Sequence, residues 1–239
     1  MILLFLLRFG SLQHEFITSG KLADQLPDAI VLFPPAAPKS FYLTIDDGPS
    51  EHTSSLLTLL SIHQATATFF LHTDQILAMG EEGSTLVSRI LAEGHGIGHH
   101  MPKDRPSLTL TPKEFAAAFT RSHQDLGNLA VKTQWFRPAG GGYDPEYMLS
   151  SLQAHGYHPR FVLASYFPWD THFPFPKVYA DQIANHWISG GIVVLHDASP
   201  GNENRAKRTL ITMDHLLKRA SEDGWKAKAL PTSSEISWD

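Results

Sequence analysis

The feature that most constrains the fold is a repeated alternation of short apolar stretches with helical patterns. It runs from about residue 40 almost to the end of the chain. Predicted strands cover residues 41–45, 67–71, 96–99, 134–136, 160–164, 192–195 and 226–230. Each is short and apolar, as expected of buried parallel strands. Helices are predicted at about residues 53–63, 84–93, 112–130, 145–155, 178–188 and 205–223.

This alternation favours parallel strands joined by right-handed crossovers, either as a closed barrel or as an open doubly wound sheet. Periodicity alone does not choose between the two. Both architectures place functional residues at the carboxyl ends of strands. The clearest helix start is Pro112, because Thr111 and Glu114 have the spacing of a capping box around it.

The domain organisation is predicted to be simple, since no linker or repeat interrupts the alternation. We expect one domain over residues 40–232, an N-terminal extension over 1–39 and a tail over 233–239. Residues 1–7 form an apolar run that is too short to span a bilayer. It is either the remnant of an anchor or signal, or a short helix that packs on the domain. We expect an extracytoplasmic or membrane-anchored protein rather than a cytoplasmic one.

The composition limits the partners and the metal ligands that the chain can have. The net charge is −5 and Lys and Arg are spread along the chain without a long basic run, so no basic surface is predicted for a phosphate backbone and no nucleic-acid partner is expected. The chain has no cysteine. Any metal must therefore be bound by histidines and carboxylates.

Asp46 and Asp47 stand side by side at the end of the first predicted strand. Neighbouring carboxylates repel each other, and a cation is the usual compensation. One of them could bind a metal and leave the other as a general base. Alternatively, one of them caps the helix that follows Pro49.

His100 and Asp104 are spaced i and i+4, so one helical turn or a tight loop could bring both to the ion held by Asp47. These three residues would leave coordination positions open for water and substrate. His95 and His99 lie in the same segment and are weaker candidates for metal contact.

Two further segments carry candidate residues. Arg137 follows a predicted strand and precedes a glycine run, so it could neutralise an aspartate while glycine N–H groups approach an oxyanion. His196 ends another strand, and Asp170 upstream could orient it as an acid for a leaving amine. In the alternative interpretation Asp170 is a turn residue and the nearby aromatic residues belong to the core.

These segments, in this order, resemble the NodB-homology motifs of the polysaccharide deacetylase family, the family 4 carbohydrate esterases. The segment 44–49, Thr-Ile-Asp-Asp-Gly-Pro, is similar to the family's Thr-Phe-Asp-Asp-Gly-Pro motif. The resemblance implies Asp46 as the base and Asp47 as a metal ligand. His100 falls on the first His of the His-Ser/Thr-x-x-His motif, and Asp104 stands where the second His is expected.

The later motifs match less closely. Arg137-Pro-Ala-Gly-Gly resembles Arg-x-Pro-Tyr, with Gly140 at the Tyr position. Leu195-His196 resembles the Leu-x-His element, in which Leu lines the acetyl pocket and His is the acid. The resemblance thus implies Arg137, Asp170 and His196 as catalytic partners of Asp46. It implies substrate contacts by Gly140, Gly141, Tyr143, Trp169 and Leu195.

The resemblance implies a deformed (β/α) barrel that deacetylates a glycan such as chitin, chito-oligosaccharide or peptidoglycan. One divalent ion is expected, zinc first, with cobalt, manganese or nickel as alternatives. Asp104 in place of His would harden the ligand set and shift preference away from zinc. Alternatives are an esterase or cyclic-amide hydrolase with the same site, and a non-catalytic glycan-binding barrel.

Overall fold

The computed structural model describes residues 30–31, 34–132, 135–166, 170–171, 174–197 and 203–232, with side chains of 130–132 excepted. Within them, strands β1 to β8 form one sheet with every pairing parallel. The strands are β1 Ile30–Val31, β2 Ser40–Gly48, β3 Thr68–Leu71, β4 Gly96–His99, β5 Trp135–Phe136, β6 Phe161–Val162, β7 Ile192–His196 and β8 Lys226–Lys228. Their order is β1-β6-β5-β4-β3-β2-β7, and β8 pairs with the start of β2.

Helices connect the strands. They are α1 Thr53–Ile62, α2 Thr73–Met79, α3 Glu81–Ala92, α4 Pro112–Leu126, α5 Pro145–Ala154, α6 Pro176–Ala184 and α7 Glu203–Glu222. Short 3₁₀ turns cover Ser107–Thr109 and Gly127–Lys132. No helix in the described residues is both long enough and apolar enough to cross a membrane.

The sheet curls until its ends approach each other. Ser165, just after β6, donates its backbone N–H to the carbonyl of Ile192 in β7 at 2.9 Å, and its hydroxyl accepts the Ile192 N–H at 2.6 Å. The result is a deformed (β/α) barrel, which confirms the expectation drawn from the resemblance.

The two faces of the sheet bury different clusters, because successive strand residues point to opposite sides. Phe41, Leu43 and Ile45 of β2 pack with helix residues outside the barrel. Tyr42 of β2 belongs instead to an interior cluster formed mainly by strand residues. Polar residues at the strand ends therefore stand at the rim of a filled barrel.

Each predicted strand corresponds to one of β2 to β8. The capping box at α4 is present, with the Thr111 hydroxyl accepting the Glu114 N–H and the Glu114 carboxylate accepting the Thr111 N–H. This helix ends earlier than predicted because Gly127 takes a positive φ of 52°.

Two elements were not predicted, β1 and α2. β1 lies inside the segment assigned to an N-terminal extension, yet it pairs with β6. The apolar run at residues 1–7 and the tail at 233–239 lie outside the described residues.

Candidate active site

Ionisable residues from neighbouring strands meet at the carboxyl edge of the sheet. They are Asp46 and Asp47 in β2, His72 after β3, His100 after β4, Arg137 after β5 and His196 at the end of β7. All are buried except His196, which is partly exposed. Parallel strands place these side chains together because their carboxyl ends share one edge.

A bulge explains how two consecutive aspartates can both face the site. In a regular strand Asp46 and Asp47 would point to opposite faces. The register between β2 and β3 shifts between Asp46 and Gly48, and Asp47 has a φ of 66°, which few residues other than glycine adopt. This local distortion keeps both carboxylates at the edge of the sheet.

Asp46 is fixed by Arg137. The guanidinium Nη1 donates to Asp46 Oδ1 at 2.5 Å and to the Thr44 hydroxyl at 2.9 Å, and Nε donates to the Val162 carbonyl at 2.9 Å. The guanidinium also lies 4.2 Å from the centre of the Phe70 ring. Arg137 therefore pairs with the first aspartate and holds its carboxylate in one orientation.

In both His72 and His100, a backbone carbonyl determines which ring nitrogen carries the proton. Nδ1 of His72 lies 3.3 Å from the carbonyl of Met101, and Nδ1 of His100 lies 2.8 Å from the carbonyl of Arg137. A carbonyl only accepts, so both Nδ1 atoms carry the proton. When the rings are neutral, Nε2 of each presents a lone pair.

Both Nε2 atoms face one carboxylate oxygen. Asp47 Oδ1 lies 3.2 Å from Nε2 of His72 and 3.5 Å from Nε2 of His100, and the two rings stack with centroids 4.8 Å apart. Three buried acceptors in this arrangement require a proton or a cation among them. Ligand atoms around a tetrahedral zinc are about 3.3–3.4 Å apart, from bond lengths of about 2.0–2.1 Å. The two His–Asp distances match that spacing.

The pKa values of Asp47 and His100 are also shifted in the directions expected of a site that favours positive charge. Burial would raise the pKa of Asp47, but hydrogen bonds from His100 and His72 hold it well below its usual range. Burial would lower the pKa of His100, but the Asp46 and Asp47 carboxylates raise it above its usual value. Asp47, His72 and His100 thus form a donor set suited to a divalent ion, with ligand atoms all within 4.8 Å of one another.

Asp104 is not part of this group, which corrects the ligand set expected from the sequence. Its side chain is exposed on the irregular segment after His100, where the chain is not helical and i,i+4 residues do not share a face. His72 is the third member of the group and was not predicted. It could have been found by the rule used for Asp46, because it directly follows a predicted strand.

His196 and Asp170 form the pair predicted from the sequence. Asp170 accepts the backbone N–H of His196 at 2.7 Å, and its other oxygen lies 2.9 Å from His196 Nδ1. Burial would lower the pKa of His196, but Asp170 foremost, with Asp46 and Asp47, raises it to about 9. Asp46 and His196 are register partners in β2 and β7, so the two stand side by side.

The predicted substrate residues divide into several groups. Gly140 and Gly141 have positive φ values of 71° and 69° in the exposed turn after β5, and Gly141 donates its N–H to the Pro138 carbonyl. No described residue accepts the N–H of Gly140. Tyr143 is half-buried, with its ring 5.3 Å from that of Phe161. Trp169 lies outside the described residues.

Leu195 is placed differently from the prediction. It is fully buried in the cluster outside the barrel, whereas Val194 belongs to the interior cluster. Residues at i and i+2 of a strand share a face, so Val194 is on the side of His196 and Leu195 is not. The hydrophobic residue two positions before the histidine therefore shares its face of the strand.

The weaker histidine candidates lie elsewhere. His99 is fully buried among Phe119, Phe136 and Tyr157. His95 precedes β4 at the opposite end of the sheet, where its Nδ1 accepts the Ala67 N–H at 3.3 Å. Neither belongs to the Asp47–His72–His100 group.

Known proteins share both sequence and fold with this chain. A family model described as polysaccharide deacetylase matches residues 34–159. A peptidoglycan-N-acetylglucosamine deacetylase of Bacillus cereus is 50% identical over 213 residues, which cover 83% of this chain and 71% of that protein. A chitooligosaccharide deacetylase of Rhizobium leguminosarum bv. trifolii is 30% identical over 207 residues, covering 81% and 91% respectively.

A similar fold is found among solved structures. The crystal structure of a peptidoglycan N-acetylglucosamine deacetylase superimposes with a TM-score of 0.74 at 21% identity, covering 91% of this chain and 97% of the other. This likeness supports the barrel architecture.

Proposed function

The chain belongs to the polysaccharide deacetylase family, and on that premise we propose that it is a metal-dependent hydrolase that removes N-acetyl groups from a glycan. The observation that carries the proposal is the group of Asp47, His72 and His100 beside Asp46 and His196. This arrangement combines a cation site, a candidate base and a candidate acid at one edge of the barrel.

The ion would be held by Asp47, His72 and His100, and it would supply Lewis acidity for the acetyl carbonyl and the attacking water. Two imidazoles and one carboxylate favour zinc, with cobalt, manganese or nickel as alternatives. The harder ligand set was expected because Asp104 was predicted as a ligand beside His100. With His72 in place of Asp104, that expectation no longer applies.

Asp46 would take the proton of the attacking water. Its Oδ1 is held by Arg137, while Oδ2 points toward the ligand group, 3.7 Å from Nε2 of His100. The hydrogen bond from Arg137 fixes the orientation of the Asp46 carboxylate, as a base positioned for one water molecule requires.

His196 would protonate the departing amine. With Nδ1–H directed at Asp170 and a pKa of about 9, the imidazole is protonated at neutral pH and holds its second proton on Nε2. The N–H of Gly140 would stabilise the oxyanion, and Gly141 would not, since its N–H is used within the turn.

The substrate would be a glycan that contains N-acetylglucosamine. This proposal rests on the names of relatives, which act on chitooligosaccharide and peptidoglycan. An acetylated glycan would be the partner of the site, and the scattered basic residues give no reason to propose a nucleic acid.

Acetate release from N-acetylated chito-oligosaccharide, from peptidoglycan and from acetylated xylan tests the proposal. We expect zinc-loaded protein to release acetate from an N-acetylated glycan, and the Asp46→Asn variant to bind zinc without doing so. Release from xylan alone would favour an esterase. Zinc binding without release from any substrate would favour a non-catalytic barrel.

A further inference from the structure

The two oxygens of Asp47 have different partners. Oδ1 faces Nε2 of His72 and Nε2 of His100, at 3.2 and 3.5 Å. Oδ2 accepts a hydrogen bond from Nη2 of Arg205 at 2.5 Å. Arg205 lies in the first turn of α7, 158 residues away in sequence, with a side chain that is 11% exposed.

Asp46 shows the same division. Its Oδ1 is bonded to Arg137, and its Oδ2 points at His100. Each aspartate of the pair therefore has one oxygen held by its own arginine and the other directed into the site. Arg137 lies in a segment that resembles a family motif, whereas Arg205 lies outside all the segments that do.

We propose that Arg205 is a positioning residue that keeps Asp47 a one-oxygen ligand of the ion. The inference rests on the proposed metal centre. A carboxylate with both oxygens available can bind through both, as larger oxygen-preferring cations favour. Tetrahedral zinc takes one atom from each ligand. By holding Oδ2, Arg205 leaves only Oδ1 for the ion and offsets part of the negative charge of the aspartate pair.

If Arg205 has this role, its removal should change the selectivity of the site between metal ions as well as its affinity for them. Removing Arg205 frees Oδ2 and lets the carboxylate rotate, so zinc loses a fixed ligand while manganese gains a second oxygen. Loss of a partner that orients a ligand typically weakens metal binding about 10–100-fold. We expect Arg205→Ala to weaken Zn²⁺ by about that factor, Mn²⁺ by less, and so to lower the Zn²⁺/Mn²⁺ affinity ratio.

The experiment compares the full chain with Arg205→Ala and with Lys207→Ala as the matched control. Lys207 is exposed on the same helix, so its removal changes the net charge equally without touching Asp47. Affinities for Zn²⁺ and Mn²⁺ are measured by competition with a chromophoric chelator. The visible absorption of Co²⁺-loaded protein reports coordination number, and it should weaken in Arg205→Ala alone. Thermal unfolding of the metal-free proteins verifies that both variants fold.

An unchanged affinity ratio and Co²⁺ spectrum in a folded Arg205→Ala variant would overturn the role of Arg205. Tighter Zn²⁺ binding would do the same, because it would show that Arg205 competes with the ion. If Arg205→Ala does not fold, Arg205→Lys keeps the charge but lacks the planar fork, and it must shift the ratio in the same direction. A wild-type protein that binds no ion would overturn the metal centre itself, and this inference with it.

Discussion

Replacing Asp170 by asparagine isolates the cause of the raised pKa of His196. Asp170 is the first of the charges that raise this pKa, and it is buried beside the imidazole at 2.9 Å. Asparagine keeps the size and one of the two acceptor oxygens that face His196, but it removes the charge and replaces the other oxygen by an NH2 group. We expect the imidazolium of His196 to lose its main stabilisation, so that it releases its proton at lower pH.

The magnitude follows from the two pKa values. A rise from 6.5 to about 9 corresponds to roughly 3 kcal/mol favouring the charged form. If the variant returns to the ordinary value, its protonated fraction at pH 8 falls from about 0.9 to about 0.03. An acid that acts in the protonated form would then lose about 30-fold in rate at pH 8 and almost nothing at pH 5.5.

The assay is kcat/KM for acetate release between pH 5.5 and 9.5, expressed as the ratio of wild type to variant at each pH. The ratio cancels effects of pH on the metal ligands and on the substrate. Asp181→Asn is the matched control, because Asp181 is a more exposed aspartate paired with His215 and Arg219 on the helical surface. A wild-type to Asp170→Asn ratio that stays constant from pH 5.5 to pH 8 would refute His196 as an acid tuned by Asp170.

Three further outcomes are expected. His72→Ala should weaken Zn²⁺ binding by more than about 100-fold, which exceeds the usual cost of losing a residue that only orients a ligand. Asp104→Ala should leave the Zn²⁺ affinity unchanged in calorimetric titration. The opposite ranking would restore Asp104 as a ligand. His196→Ala should lower kcat by about 10²–10⁴-fold and retain Zn²⁺ affinity, and loss of the ion would instead make it a ligand. Thr111→Ala removes the capping box of α4, so it should lower the free energy of unfolding by about 1 kcal/mol and Tm by roughly 2–4 °C. Thr58→Ala, at an exposed position in α1, should change Tm little. Equal shifts in the two variants would contradict the role of the cap.

The sequence by itself predicted a parallel α/β architecture and most of the residues that gather at the candidate site. The alternation of apolar stretches with helical patterns predicted β2 to β8, because buried parallel strands and amphipathic helices have different periods. Local signals such as the capping box at Thr111 depend on residues a few positions apart, so they can be read directly. Polar residues directly after strands identified Asp46, Asp47, His100, Arg137 and His196, since parallel strands end at one edge.

The tertiary structure decided which of these residues meet. The i,i+4 spacing of His100 and Asp104 implies proximity only in a helical turn, and the chain there is irregular, so Asp104 is exposed. His72 reaches the site because β3 lies between β2 and β4 in the sheet.

Arg205 reaches Asp47 from a helix 158 residues away in sequence. Contacts of this kind depend on strand order and on the curl of the barrel, to which side chains throughout the sheet and its helices contribute. Such contacts leave no local pattern in the sequence, so the sequence predicted the kinds of residue at the candidate site and the fold determined which of them meet.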